Sequence, residues 1–585
     1  MQTIARCRSS AGVISAIIWL AGVVLHLLYL HAVGRCTASL GAQCTDGWRS
    51  GTHQLIERSL GQLHSIDVLP AAILRNAFNG ELLKIMKRVT GVAVAVILAL
   101  LALPNVVAQS VARAGQKGLV SPAVLRGPQA VPADVSQPGY GLFSCQVGLS
   151  VGQCYDPYQM RVAYNVDTLI SAGFDGKGKT IVIIDAFQNP NIVFQLGFFN
   201  SFYGLPQMNA GSGTPTFTQV APDGLGPYDV GWAEEITLDV LWAHAIAPGA
   251  NIVLELGKDS SDIALISALN DAIDNNRGDV ISMSFGESDT CLGPELTAAW
   301  HQAFVNATNK GITLFASSGD QGAALPSCDG TSWIKSTSSP ASDPLVTSVG
   351  GTELHAADYC FPQLGCDPST HPAPGTYLSE IAWNEGPPYG DFQNRFSSTL
   401  ASGGGFSTVW DEPAYQQGTI NGGKSRGVPD VSYNGAVLRG VLTYLDIPGV
   451  PTGWYRFGGT SAGSPQWAAI TAINDQAAGH NYGFINAALY KVGQNTPDYV
   501  KTFHDVTSGT NSSVEYDASN NPVNIIGYDA GTGWDAVTGL GSPKGVGIVT
   551  ELPIFWSASQ GNAAISGSKA HPIGNPSAPG QVKPH

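Results

Sequence analysis

The chain has 585 residues, 44% of them hydrophobic and only 12% charged, about half the usual charged share of roughly 25%. Its net charge of −15 excludes nucleic acid and anionic membrane surfaces as partners. Few ionised carboxylates also leave little for acid to neutralise, which suits work at low pH.

Two apolar segments come first along the chain. Residues 13–33, between Arg8 and Arg35, are long enough to span a bilayer, although His26 and His31 interrupt the run. The second opens at Met86-Lys87-Arg88, continues apolar through 92–103 and closes on Pro104 and Val106-Val107-Ala108. That order is a secretory signal peptide over 86–108, cut after Ala108. Met86 then reads as the true start and residues 1–85 as an over-extended N-terminus. The alternative is a membrane anchor through 13–33. Cys7, Cys36 and Cys44 lie upstream of the cut, and the six cysteines that remain are even in number, as an exported protein prefers. Of the fifteen connectivities that six cysteines allow, short separations make Cys145–Cys154 and Cys360–Cys366 plausible, with Cys291 and Cys328 then left to pair. Without residues 1–108, 20 basic residues face 40 acidic ones, a net charge of −20.

Residues 109–156 are rich in Pro, Gly, Ser and Val without a period, so they read as a linker or short pro-segment. Thereafter apolar β-branched runs alternate with helical patterns. Strands are predicted at 180–185, 251–256, 279–284, 311–316 and 345–349. Continuous apolar strands between helices predict an α/β domain over 157–552, a parallel sheet covered by helices on both faces. Ligands of such sheets sit beyond the carboxyl ends of the strands. Past Leu552 a Gly/Ser/Pro tail, 553–585, is expected to be disordered.

Three motifs carry chemistry. Gly458-Gly-Thr-Ser461-Ala-Gly-Ser-Pro465 follows a strand around 454–457 and precedes a helix, so Ser461 sits where free N–H groups favour a developing oxyanion. Pro465 fits a first helical turn, where proline costs nothing. Upstream, Trp232, Ile236, Val240, Ala243 and Ala247 make a helical stripe. Glu235 and Asp239, four apart on that helix, form a pair that cannot easily ionise twice, so a proton is shared. Such a pair accepts a proton in acid, where histidine is already charged. Asp320, in Ser317-Ser318-Gly319-Asp320, lies just past a buried strand.

In this order the three motifs resemble the sedolisins, serine-carboxyl peptidases with a subtilisin-like fold, and the resemblance runs from about Pro157 to Leu552. It implies Ser461 as nucleophile, Glu235 as its base, Asp239 as the base's partner, and protonated Asp320 as an oxyanion donor. It further implies that Ser284, Phe285, Gly286, Gly403, Gly404 and Gly405 line a cleft for an extended peptide. One structural Ca²⁺ is implied at Asp505 and Asp535, with the carbonyls of Val506, Gly531 and Gly533. The expected protein is a secreted, monomeric endopeptidase acting on polypeptides at about pH 3–5, near ordinary carboxyl pKa values.

One departure stands out: residues 109–156 are too few for the large folded pro-domain usual in that family. A subtilisin is the nearest rival, and Asp185 ends a strand as a subtilisin aspartate would. Yet no His-Gly-Thr-His-type segment follows, and His244 reads as packing. A non-catalytic binding protein on a peptidase scaffold is the other rival, and the intact Ser461, Glu235, Asp239 and Asp320 count against it.

Overall fold

Buried β-branched strands, each too apolar to face water, dictate a sheet hidden on both sides. A computed structural model describes residues 121–122, 125–130, 143–147, 153–362, 365–386, 399–420 and 424–560. The expected signal peptide, the segment 13–33 with the rest of residues 1–85, and residues 561–585 lie outside them.

Two short strands precede the domain, β1 (Ser121–Pro122) and β2 (Leu125–Ala130), followed by β3 (Gln153–Tyr155). The main sheet begins with β4 (Thr180–Ala186), β5 (Phe217–Val220), β6 (Asn251–Gly257) and β7 (Val280–Met283). After Ser284 the chain leaves this sheet as β8 (Phe285–Ser288), returns as β9 (Thr313–Ser317), and leaves again as β10 (Ser338–Ser339). Then come β11 (Thr347–Ala356), β12 (Tyr377–Ala382) and β13 (Val431–Asn434). Strands β14 (Arg439–Leu445) and β15 (Gly453–Gly458) lead to the nucleophile motif. The main sheet runs β12-β11-β9-β7-β4-β6-β5, with β13 also on β11; only β12 is antiparallel. This is the expected α/β architecture.

Alternation along β4 shows why both faces need helices. Ile181 and Ile183 join one core layer with Ile236, Val240 and Trp467, whereas Val182 and Ile184 join another with Leu265, Leu269 and Phe304. The first layer holds helix α1 (Val230–Ile246), whose N-cap Asp229 accepts from the Trp232 N–H at 3.0 Å. The second holds α2 (Asp262–Asp274) and α3 (Pro294–Asn309). Helix α4 (Thr460–Ala478) starts just after β15 and packs along α1. Thus α1 is buried almost all round, not along one stripe.

The three predicted disulfides are present: Cys145–Cys154, Cys291–Cys328 and Cys360–Cys366. Two boundaries differ from expectation. Residues 109–156 contain β1, β2 and β3, because pairing through backbone amides needs no hydrophobic period. At the other end helix α5 (Gly545–Gln560) runs past Leu552 and through Pro553. Buried Leu552 and the Trp556 indole, which donates to the Tyr482 carbonyl at 2.8 Å, hold it to the domain. Among the described residues no helix is long and apolar enough to cross a membrane.

Candidate active site

Ser461 is the second residue of α4, directly after the turn that ends β15. That turn needs glycine. Gly459 has φ +104°, and a Cβ on Gly458 would lie 2.5 Å from the Gly435 carbonyl oxygen. Because α4 starts at Thr460, Pro465 stands in the second turn, not the first as expected. Having no N–H, it leaves the Ser461 carbonyl without its helical donor. The Ser284 hydroxyl faces that carbonyl at 3.4 Å.

Asp320 follows β9 and lies at the start of α4. Its Oδ1 accepts from the Thr460 N–H (2.7 Å) and the Thr460 hydroxyl (2.8 Å), while its buried Oδ2 has no partner. Burial pushes this carboxyl up to about 7, against the pull of Thr460. Below that pH it carries a proton. Since Oδ1 is already an acceptor twice over, the proton belongs on Oδ2, the oxygen free to donate.

Glu235 and Asp239 project from α1, both fully buried, and none of their four oxygens makes a well-formed hydrogen bond. Burial holds Glu235 well above the ordinary carboxylate range, reinforced by Asp239, Asp185 and Asp320, while the Ser461 hydroxyl works the other way. Burial likewise raises Asp239, and Ser284 partly offsets it. The sequence reading noted one more member of this group only as a mark of the subtilisin rival. Asp185, at the carboxyl end of β4, is fully buried, has two unpartnered oxygens, and is raised by burial and by Asp239. An aspartate closing an apolar central strand was the available signal. Among the described residues no Lys, Arg or His forms an ion pair with any of these four carboxyls. Without a cation, such groups are tolerable in the interior chiefly as neutral acids.

The expected cleft residues divide. Ser284 touches the nucleophile's backbone. Phe285 turns its ring into the core, against Trp232 and Trp300, and its backbone lies opposite Pro122 of β1. Gly286 packs so closely that a Cβ would meet Ser338 Oγ at 2.0 Å. Gly403 donates to the Gly319 carbonyl at 2.7 Å, which ties this loop to the Asp320 turn. Gly404 lies against the Ala536 carbonyl, and the neighbours of Gly405 are Tyr528 and Thr337. Here glycine serves close backbone approach.

Near the C-terminal end, the expected metal residues do meet. Asp505 accepts from the Tyr499 hydroxyl and the Gly533 N–H, both at 3.0 Å. Asp535 accepts from the N–H groups of Gly531, Val537 and Thr538 at 2.8–3.0 Å. The charges of both carboxyls act on Tyr499, and the Thr538 hydroxyl faces the Val506 carbonyl at 3.4 Å. Two neighbouring carboxylates, free of any ion pair among the described residues and flanked by backbone carbonyls, fit a hard cation such as Ca²⁺. The cluster of Cys360, Cys366 and His371 does not fit a metal, because its cysteines are joined to each other.

Known proteins resemble this chain in sequence and fold. The model of the subtilase family, Peptidase_S8, matches residues 232–502. Kumamolisin of Bacillus sp. (strain MN-32) is 29% identical over 435 residues, 72% of this chain and 67% of its own length. Sedolisin of Pseudomonas sp. (strain 101) is 32% identical over 291 residues, 48% of this chain and 42% of its own. The solved structure of Pseudomonas sedolisin, a serine-carboxyl proteinase complexed with two molecules of pseudo-iodotyrostatin, superposes with a TM-score of 0.54 at 27% identity. It covers 71% of this chain and all of that one.

Proposed function

The chain belongs to the sedolisin family of serine-type peptidases, and from that premise we infer that it is an acid-acting serine-carboxyl endopeptidase. The observation that carries this reading is Ser461 at a helix start, facing buried carboxyls and, among the described residues, hydrogen-bonded to no histidine. His244, on the same helix as Glu235, instead holds the Pro206 carbonyl at 2.9 Å through Nε2.

In this reading Ser461 Oγ attacks the scissile carbonyl carbon and its proton moves to Glu235. The base is a shared one. Glu235, Asp239 and Asp185 titrate as a cluster, so its first proton leaves far more readily than the later ones. One negative charge is then spread over the group, and accepting the serine proton restores neutrality. The tetrahedral oxyanion is stabilised by the Asp320 Oδ2–H and by N–H groups at the start of α4. Glu235 returns the proton to the leaving amine, and water then hydrolyses the ester by the same route. Ser284 steadies Asp239 and the Ser461 backbone.

One Ca²⁺ held by Asp505, Asp535 and the carbonyls of Val506, Gly531 and Gly533 would supply charge neutralisation and cross-linking, not chemistry. A signal peptide at 86–108 and export as a monomer complete the proposal; disulfides of this kind persist in oxidising compartments.

The test is hydrolysis of a denatured protein across the pH range by wild type and Ser461→Ala. Activity should peak in acid and vanish in the variant, with circular dichroism unchanged. A maximum near pH 8 with histidine-like titration would overturn it.

A further inference from the structure

Between β8 and the layer of α2 and α3 lies a second pair of carboxyls, apart from the catalytic group. Asp262, the first residue of α2, is buried, and its Oδ1 accepts from the Trp300 indole N–H of α3 at 2.8 Å. Its Oδ2 is buried without a well-formed partner, and beside it lies the carboxyl of half-buried Glu287, the third residue of β8. Burial and the charge of Asp262 push Glu287 up to about 8. Burial raises Asp262 as well, against the pull of Trp300 and Glu287. Among the described residues no Lys, Arg or His forms an ion pair with either carboxyl. The Asp259 carboxyl, in the turn ahead of α2, is engaged by Ser261, and β10 sets only Ser339 opposite Glu287.

The surroundings decide where the proton sits. N–H groups at the start of α2 and the Trp300 indole favour charge on Asp262, so Glu287 keeps its proton and donates it to Asp262. Acid treats such a bond differently from an ion pair. A carboxylate bound to a lysine loses its hold once it is protonated. Two carboxyls need only one proton between them, and with two protons one hydroxyl still donates to the other's carbonyl oxygen. The fastening therefore holds from strong acid up to about pH 8.

It fastens β8. Phe285 anchors the strand among Trp232 and Trp300, and Glu287, on the same face two residues later, anchors it again. Immediately ahead of the strand stands Ser284, whose hydroxyl faces the Ser461 carbonyl at 3.4 Å and steadies Asp239.

We propose that Asp262 and Glu287 are positioning residues for catalysis: their carboxyl–carboxyl hydrogen bond fixes β8 and so holds Ser284 against Asp239 and the Ser461 backbone. The proposal rests on the peptidase reading above. Neither residue touches substrate or moves a proton in the reaction; both act through Ser284.

A double-mutant cycle decides the matter. The kcat for denatured casein is measured near pH 4, and across the pH range, for wild type, Glu287→Ala, Ser284→Ala, the two combined, and Glu287→Gln. Glu287→Ala should lower kcat about tenfold, the worth of one hydrogen bond. Added to Ser284→Ala it should cost little more, because both changes break one support. Glu287→Gln, whose amide donates to Asp262 at any pH, should keep the wild-type kcat and pH profile. Glu287→Leu replaces Glu287→Ala if that variant does not fold. A lower melting midpoint with kcat unchanged would mean a merely structural role and overturn the proposal. So would costs that multiply in the double variant, or a Glu287→Gln no better than Glu287→Ala. Wild type that cuts no casein would remove the peptidase reading, and this proposal with it.

Discussion

Asp320 holds one oxygen fixed between two donors of Thr460 and leaves the other free. The proton on that free oxygen is lost as the pH rises through about 7, so oxyanion stabilisation should fail on the alkaline side. Asp320→Asn keeps an acceptor for Thr460 and presents an N–H that never titrates. Its kcat should remain substantial, and the decline that Asp320 imposes near neutrality should disappear from the pH profile. Asp320→Ala has no donor, and kcat should fall by about 10²–10³ at every pH. Steady-state kinetics across pH on both variants checks this; a wild-type alkaline limb retained in Asp320→Asn would assign that limb to another group. Ser461, Glu235, Asp239 and Asp320 were all legible in the sequence, since local spacing and a preceding strand or helix carry them. Asp185 was not, because its relation to Asp239 exists only once β4 and α1 have packed. The direction of the Phe285 ring was not legible either, because strand alternation, not proximity to Ser284, decides which way it turns.

At the level of elements, α1 and α4 do the positioning, and α4 was legible except in its phase. Starting the helix at Thr460 moves Pro465 into the second turn, a shift of register that no propensity could fix. The central strands were plain for the opposite reason, being apolar throughout and bounded by polar turns. β1 and β2 carried no such signal, since their pairing is made by backbone. Two C-terminal segments, around Asp505 and around Asp535, meet through Thr538 and Val506. An ion bound there joins them only in the folded chain, and at one hundred times its dissociation constant would stabilise by about 2.7 kcal/mol. Chelator should therefore lower the melting midpoint of wild type at pH 6 and leave that of Asp535→Ala unchanged. Acid should weaken the effect, because carboxylates must ionise to bind. Identical wild-type curves after confirmed metal removal would defeat the assignment.

Over the whole molecule, the scarcity of charge on the surface is matched by carboxyls inside that resist ionisation. Burial pushes Asp475 up to about 7, as it does Asp320. A raised folded pKa means stability that is full below about pH 4, where the unfolded carboxyl titrates, and that drains away as the pH rises to about 7. A shift of that size amounts to roughly 4 kcal/mol per group at neutrality. The protein should thus melt highest in acid and progressively lower toward pH 7. Asp475→Asn keeps the acceptor for the Tyr482 N–H and never ionises. It should match wild type near pH 4 and melt above it at pH 7, as calorimetry would show; equal midpoints at both would refute the linkage. The pairing of β2 with β15 has one more consequence: the strand that delivers Ser461 is held on one flank by β14 and on the other by chain from ahead of residue 157, so the footing of the nucleophile extends beyond the expected peptidase domain.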